Sequence, residues 1–152
     1  MIGRAESSEE RERMLEKHFA LRDRTKRVAL RVIKPCDSLP GTDAGRTISR
    51  QILRSGTSVA ANYRAVGRAR SQAEFVAKMG VVVEEADETV FWLELLAESD
   101  IVPEHRLGEL TAEANELVAI FVMSQPNARR MSTKRSRKVV CSPDLPINRS
   151  PE

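Results

Sequence analysis

The sequence predicts an all-α protein: an antiparallel up-down-up-down four-helix bundle with a disordered C-terminal tail. Three observations lead there. Apolar residues recur at steps of three and four through four successive stretches. Clusters of Pro, Gly, Ser and Asp separate those stretches, in connections short enough to set consecutive helices antiparallel. From Gln125 onward the chain carries four prolines and seven Lys/Arg with little apolar content, which cannot offset the entropy of ordering. The domain reading is a charged, partly helical extension over residues 1–18, a bundle over 19–124 and a basic tail over 125–152.

In the extension, Ser7 followed by Glu10 has the capping-box spacing, so a helix is expected to begin there. Helical patterning firms up from Phe19. Leu21, Thr25, Val28, Ala29, Val32 and Ile33 share a face, and Arg22, Lys26, Arg27, Arg31 and Lys34 occupy much of the rest. Pro35 has no N–H and crowds the preceding turn, which predicts an end or kink near Ile33–Lys34. The LPGTDAG stretch, residues 39–45, reads as the connection to the next helix.

That helix, from Arg46 to about Arg70, organises the chain. On a helical wheel Ile52, Ser55, Val59, Asn62, Tyr63 and Val66 fall within roughly 60° of Ile48, while Arg46, Arg50, Arg64 and Arg68 fall at about 160–200° from it. Ser55, Gly56, Ser58, Ala60 and Ala61 are small enough for a neighbouring backbone to come close. Gly56 costs about 1 kcal/mol against Ala in a helix interior, which points to a packing reason. Asn62 is expected to hydrogen-bond across the bundle and set its register. Gly67 through Arg70 supplies the turn.

Ser71 and Glu74 repeat the capping-box pattern and open a third helix, about Gln72 to Glu98. Its seam is Phe75, Met79, Val82, Ala86, Val90, Leu93 and Ala97. Its far side carries Glu84 and Glu88 together with Val81, Phe91, Trp92 and Leu95, a second apolar face that predicts an oligomer interface. Asp100–Pro103 makes the next turn, with Pro103 near the first helical position. The fourth helix, about Glu104 to Ser124, packs through Leu107, Leu110, Ala114, Leu117, Val118 and Phe121.

Charge is strongly segregated. Residues 40–70 hold six Lys/Arg against one acid, whereas residues 71–124 hold two against twelve Asp/Glu, net −10. The tail returns to net +5 over residues 125–152. Such asymmetry serves nucleic-acid contact or subunit assembly. No apolar run approaches the roughly 18 residues a membrane span needs. The N-terminus lacks the apolar segment of a secretory signal, and Cys36 and Cys141 make no disulfide framework, so a reducing cytoplasm is the expected location.

Catalytic chemistry finds no constellation. A di-metal bundle site needs Glu-x-x-His on two helices, but Leu15 and Val102 stand three residues before His18 and His105. Glu84, Glu85, Asp87 and Glu88 have no His or Cys beside them; they read as a solvated or salt-bridging face, with a weak divalent-ion site as the alternative. Ser55, Thr57 and Ser58 lie mid-helix without a His in register, Cys36 has no evident partner, and both phosphate-loop glycine motifs are missing. Tyr63 and Trp92 read as packing or interface residues rather than base-stacking platforms. The expectation is a non-enzyme with no cofactor and no metal. The nucleic-acid candidates are Arg46, Arg50, Arg54, Arg64 and Arg68, with Arg22, Lys26 and Arg27 on the preceding helix. Arg129, Arg130, Lys134, Arg135, Arg137 and Lys138 in the tail add to them, and all suit phosphate contact. No sequence-reading module accompanies them.

At RSGTSVAANYRAVGRARSQAEF, residues 54–75, the chain resembles the bacterial four-helix bundle family of intervening-sequence proteins, encoded in insertions within 23S rRNA genes. RTKRVALRVI at 24–33, EADETVFWLELL at 85–96 and the leucine-rich fourth helix extend the resemblance across Phe19 to Ser124. Accessory proteins of diversity-generating retroelements are related to it. The resemblance implies a small bundle assembled into a homo-oligomeric ring, commonly a pentamer. In the retroelement relatives it implies a basic surface that engages nucleic acid and a reverse transcriptase. Many members carry an acidic residue soon after the central-helix Asn; here Arg64-Ala65-Val66 follows Tyr63. Two readings result: an oligomeric bundle that binds RNA or DNA through basic faces, or a protein-interaction scaffold whose basic and acidic faces serve ring assembly.

Overall fold

A computed structural model describes residues 3–125. The tail expected at 125–152, except for Gln125, lies outside the described residues, as do its basic side chains. Four helices follow in order: α1 (Gly3–Cys36), α2 (Asp43–Val66), α3 (Gln72–Glu98) and α4 (Glu104–Ser124). Each packs on its neighbours in sequence, and α4 closes back on α1 along a much thinner seam. Partner pairs run in opposite directions: His18 meets Tyr63 while Cys36 meets Ser49, and Arg24 meets Glu113 while Arg31 meets Glu109. Neighbouring helices are therefore antiparallel on both flanks of α1.

The ends of the helices follow local chemistry. Helix α1 is already formed at Gly3, so Ser7 lies within it rather than capping it. At its other end it runs through Pro35 to Cys36 instead of stopping at Ile33–Lys34. Helix α2 begins at Asp43, three residues before the expected Arg46, because Thr42 Oγ1 accepts the Gly45 N–H at 3.1 Å and fixes the first turn. A side chain at Gly45 would run into the Pro40 carbonyl, so the tight approach of the connection requires glycine. Ser71 caps α3 by accepting the Glu74 N–H at 3.1 Å, and Glu74 reciprocates toward the Arg70 N–H at 2.8 Å, one residue earlier than in a standard capping box. That hydrogen bond, ahead of the contribution of Lys78, holds the Glu74 carboxyl below its ordinary range. Asp100, at φ 55°, turns the chain between α3 and α4.

The core takes Val28 and Val32 from α1, Ile48, Ile52, Val59, Tyr63 and Val66 from α2, a Met79–Leu96 stripe from α3, and Leu107, Leu110, Leu117 and Phe121 from α4. Replacing the fully buried Phe121 with Ala should cost about 3–5 kcal/mol. Gly56 explains how α1 and α2 meet: a Cβ there would stand 2.9 Å from a Val32 methyl, so the valine rests directly on the glycine backbone. The buried hydroxyls of Thr25, Ser55 and Thr89 each donate to a carbonyl of their own helix, which removes the cost of burying them. Several expected core positions differ: Leu21, Phe75, Ala97 and Val118 are only partly buried against the core. Ile33 is 37% exposed at the outer edge of α1, and Asn62 is only half-buried. Asn62 Nδ2 donates to Ser58 O at 3.0 Å, within α2, so it makes no cross-bundle bond.

Candidate functional site

The bundle divides the sequence-predicted basic residues into three groups. Arg22, Lys26 and Arg64 converge. They line an open groove of about 290 Å³ between α1 and α2, whose other walls are Asp23, Ala60 and Ala61. The antiparallel register places the middle of α1 beside the last turns of α2, and two alanines keep the floor of the groove low. Arg22 lies over the Phe19 ring at 5.1 Å, a cation–π contact that orients the guanidinium without neutralising it. Neither Lys26 nor Arg64 has an ion pair among the described residues.

A second group is engaged inside the chain. Arg54 reaches across to α3, pairing with Glu85 at 3.2 Å and, more closely, with Glu88. The Glu88 contact is the main cause raising the Arg54 pKa, and the same hydrogen bond, followed by that from Trp92 Nε1, holds Glu88 below its ordinary range. Arg46 folds back onto Asp43 and the Gly41 carbonyl at the start of α2. The third group is dispersed. Arg50 is exposed on α2 and Arg68 in the turn after it, since α2 ends at Val66 rather than near Arg70; neither has an ion pair among the described residues. Arg27 faces away from the α1–α2 groove and lines the opening between α1 and α4 instead.

Several partnerships were not anticipated by the sequence. Arg24 bridges α1 to Glu113 at 2.6 Å and Glu116 at 2.5 Å, and Arg31 reaches Glu109 at 3.7 Å. The Arg24 contact keeps Glu113 ionised below the usual carboxylate range. At the end of the bundle His18, Tyr63 and Phe121 stack in series, with ring centroids 5.3 and 5.4 Å apart. Burial, then Arg22, lowers the His18 pKa. Tyr63 is thus a packing residue. Helix spacing could have suggested Arg24 and Arg31 only if the α1–α4 register were known.

The proposed oligomer face can be located on α3. Val81, Phe91 and Leu95 are exposed at 42%, 53% and 37%, on the side turned away from the bundle. Trp92 is half-buried, with its ring edge-on to Phe91 at a centroid distance of 5.0 Å. Of the acidic run, Glu85 and Glu88 hold Arg54, while Glu84 and Asp87 are exposed. No cluster of three metal-ligating side chains occurs among the described residues, and no described helix is long and apolar enough to cross a membrane.

The profile of the 23S rRNA-intervening sequence proteins matches residues 17–122, which takes in the bundled part of α1 and nearly all of α4. The chain belongs to the 23S rRNA-intervening sequence protein family. Its bundle is also similar to the crystal structure of a protein of unknown function from the S23 ribosomal protein family of Bacteroides thetaiotaomicron. The two share 30% identity with a TM-score of 0.63, over 68% of this chain and 95% of that one. No curated protein matches the sequence. Family membership accounts for the four-helix architecture and leaves the role of the basic groove to be argued from its own geometry.

Proposed function

We propose that this member of the family is a non-enzymatic bundle that binds RNA or DNA through the α1–α2 face. The observation that carries this reading is the convergence of Arg22, Lys26 and Arg64 on one open groove floored by Ala60 and Ala61. Asp23 is the single carboxylate in that lining, so the local balance is positive. Arg50 on α2 and Arg68 in the turn after it add exposed positive charge. Contacts of this kind neutralise phosphates and release counterions, so affinity should fall steeply with salt. A fluorescence-anisotropy titration at two salt concentrations tests the reading. Binding that weakens with salt supports it, and absence of binding at low salt contradicts it. Each lost phosphate contact should reduce the salt slope by roughly one.

A second reading, a scaffold that assembles into a homo-oligomer, is favoured by the exposed Val81, Phe91 and Leu95 on one face of α3. The pentameric ring implied by resemblance would use it. Light scattering on Phe91→Glu should then report a smaller particle; an unchanged mass contradicts a role for this face. If Arg64→Glu leaves the particle intact but abolishes nucleic-acid binding, the first reading gains over the second.

A further inference from the structure

A different groove lies at the opposite end of the bundle, where the C-terminal end of α1 meets the α3–α4 turn. It encloses about 440 Å³, and Arg31, Lys34 and Arg106 all line it. No carboxylate does: Asp37 and Glu104, adjacent in the chain, are not among its walls. The placement of Arg106 runs against its surroundings. Residues 71–124 contain only Lys78 and Arg106 as cations against twelve acids, yet Arg106 is directed here. Lys34 and Arg106 have no ion pair among the described residues. Arg31 has a loose one, 3.7 Å from a Glu109 side chain that is 94% exposed.

Lys34 has an ordinary structural use to weigh, complementing the negative end of the α1 dipole. Part of that end is served by other donors. Ser38 donates both its backbone N–H, at 3.1 Å, and its hydroxyl, at 3.0 Å, to Pro35 O, and Cys36 Sγ reaches Val32 O at 3.2 Å. Three cations gathered on one groove, with Glu109 their one loose partner, repel one another, and an anion seated among them would relieve that repulsion. Val102 and Leu107 offer an apolar wall beside them.

We infer that the groove between Arg31, Lys34 and Arg106 is a second, separate anion site, which takes the phosphate group of a phosphate monoester. Monoester phosphates carry close to two charges at neutral pH and present three acceptor oxygens, which matches three convergent donors better than a carboxylate does. The group can come from a free mononucleotide or from the 5′ end of a nucleic acid. The inference does not rest on the α1–α2 groove, since the two share no residue.

The test uses the full chain in phosphate-free buffer at constant ionic strength, with backbone amide shifts followed by NMR as inorganic phosphate replaces chloride. Saturable shifts are expected in residues 31–38 and 101–110. Arg106→Gln and Lys34→Gln should each weaken binding by about tenfold, the loss expected for one charge-assisted hydrogen bond. Arg64→Gln should leave it unchanged. Shifts spread evenly over all basic residues, or the same affinity in Arg106→Gln, overturn the site. Both side chains are exposed, and circular dichroism checks that the variants fold. The source follows from comparing AMP with oligonucleotides bearing a 5′-phosphate or a 5′-hydroxyl. Arg106-dependent preference for the 5′-phosphorylated strand assigns a nucleic-acid end, equal binding of AMP assigns a free nucleotide, and no Arg106-dependent binding of any of them rejects the inference.

Discussion

In the first half of α2, Arg46 and Arg54 are held by Asp43, the Gly41 carbonyl, Glu85 and Glu88. In the second half, Arg64 has no ion pair among the described residues and faces Arg22 and Lys26 across a groove. The residues are alike and lie on one helix, so the difference comes from what stands beside them. Arg46 finds Asp43 and the Gly41 carbonyl at the start of its own helix, Arg54 finds Glu85 and Glu88 on α3, and Arg64 lies beside Arg22 and Lys26 of α1. An arginine stripe is therefore not one functional surface. Where a carboxylate comes within reach, the arginine is engaged inside the chain, and where the neighbour is also cationic, it has no ion pair among the described residues.

Within α2, the largest expected disruption strikes the joint between the halves. Gly56→Val pushes a branched side chain into Val32, where even a Cβ would stand 2.9 Å from a methyl. It should lower stability by about 1–3 kcal/mol, read as a fall in the chemical-denaturation midpoint. Val32→Ala in the same chain should recover part of that loss, and an unchanged midpoint in Gly56→Val would mean that the helices are not in such close contact. Next, the double variant Lys26→Glu, Arg64→Glu should weaken nucleic-acid binding at least tenfold at low salt. Its stability should stay within about 0.5 kcal/mol of the parent, as for surface positions without partners.

Arg54→Gln should behave oppositely, with a lowered melting temperature and unaltered nucleic-acid affinity. A smaller effect sharpens the same contrast. Glu88 has a folded pKa below its unfolded one, chiefly through Arg54, so its stabilisation is present above the ordinary carboxylate pKa of about 4.3 and is lost as pH falls through the folded value. The melting temperature of the parent should thus drop on acidification through that window, and Arg54→Gln should drop less. Parallel pH profiles for the two proteins would remove Arg54 from this role.

Much of the fold was legible in the sequence because its punctuation is local. Ser71 with Glu74 and the Asp100–Pro103 turn gave the ends of α3 and α4 as they stand. The start of α2 was read late because residues 39–45 look like one loop, whereas Thr42 already caps a helix that includes Asp43 and Gly45. Periodicity placed Ile48, Ile52, Val59, Tyr63 and Val66 inside, but it could not separate core from rim at Ile33 or Phe75, which depends on how far the next helix extends. The basic site was legible only as a set of residue types. A helical wheel gives the direction of each arginine and says nothing of the partner's register. Arg54 therefore looked like Arg64, the Arg24–Glu113 bridge went unseen, and Arg27 was grouped with a groove it does not line.

Arg64 at the end of α2, without an ion pair among the described residues, is expected to meet phosphate, and the paired Arg54 in the middle of the helix is not. Anisotropy of a labelled oligonucleotide at about 50 mM and about 200 mM salt, with parent, Arg54→Gln and Arg64→Glu, tests it most directly. Salt-sensitive binding is expected of the parent and of Arg54→Gln, with a weaker affinity and a shallower salt slope for Arg64→Glu. Equal losses in the two variants, or a loss in Arg54→Gln alone, would contradict it.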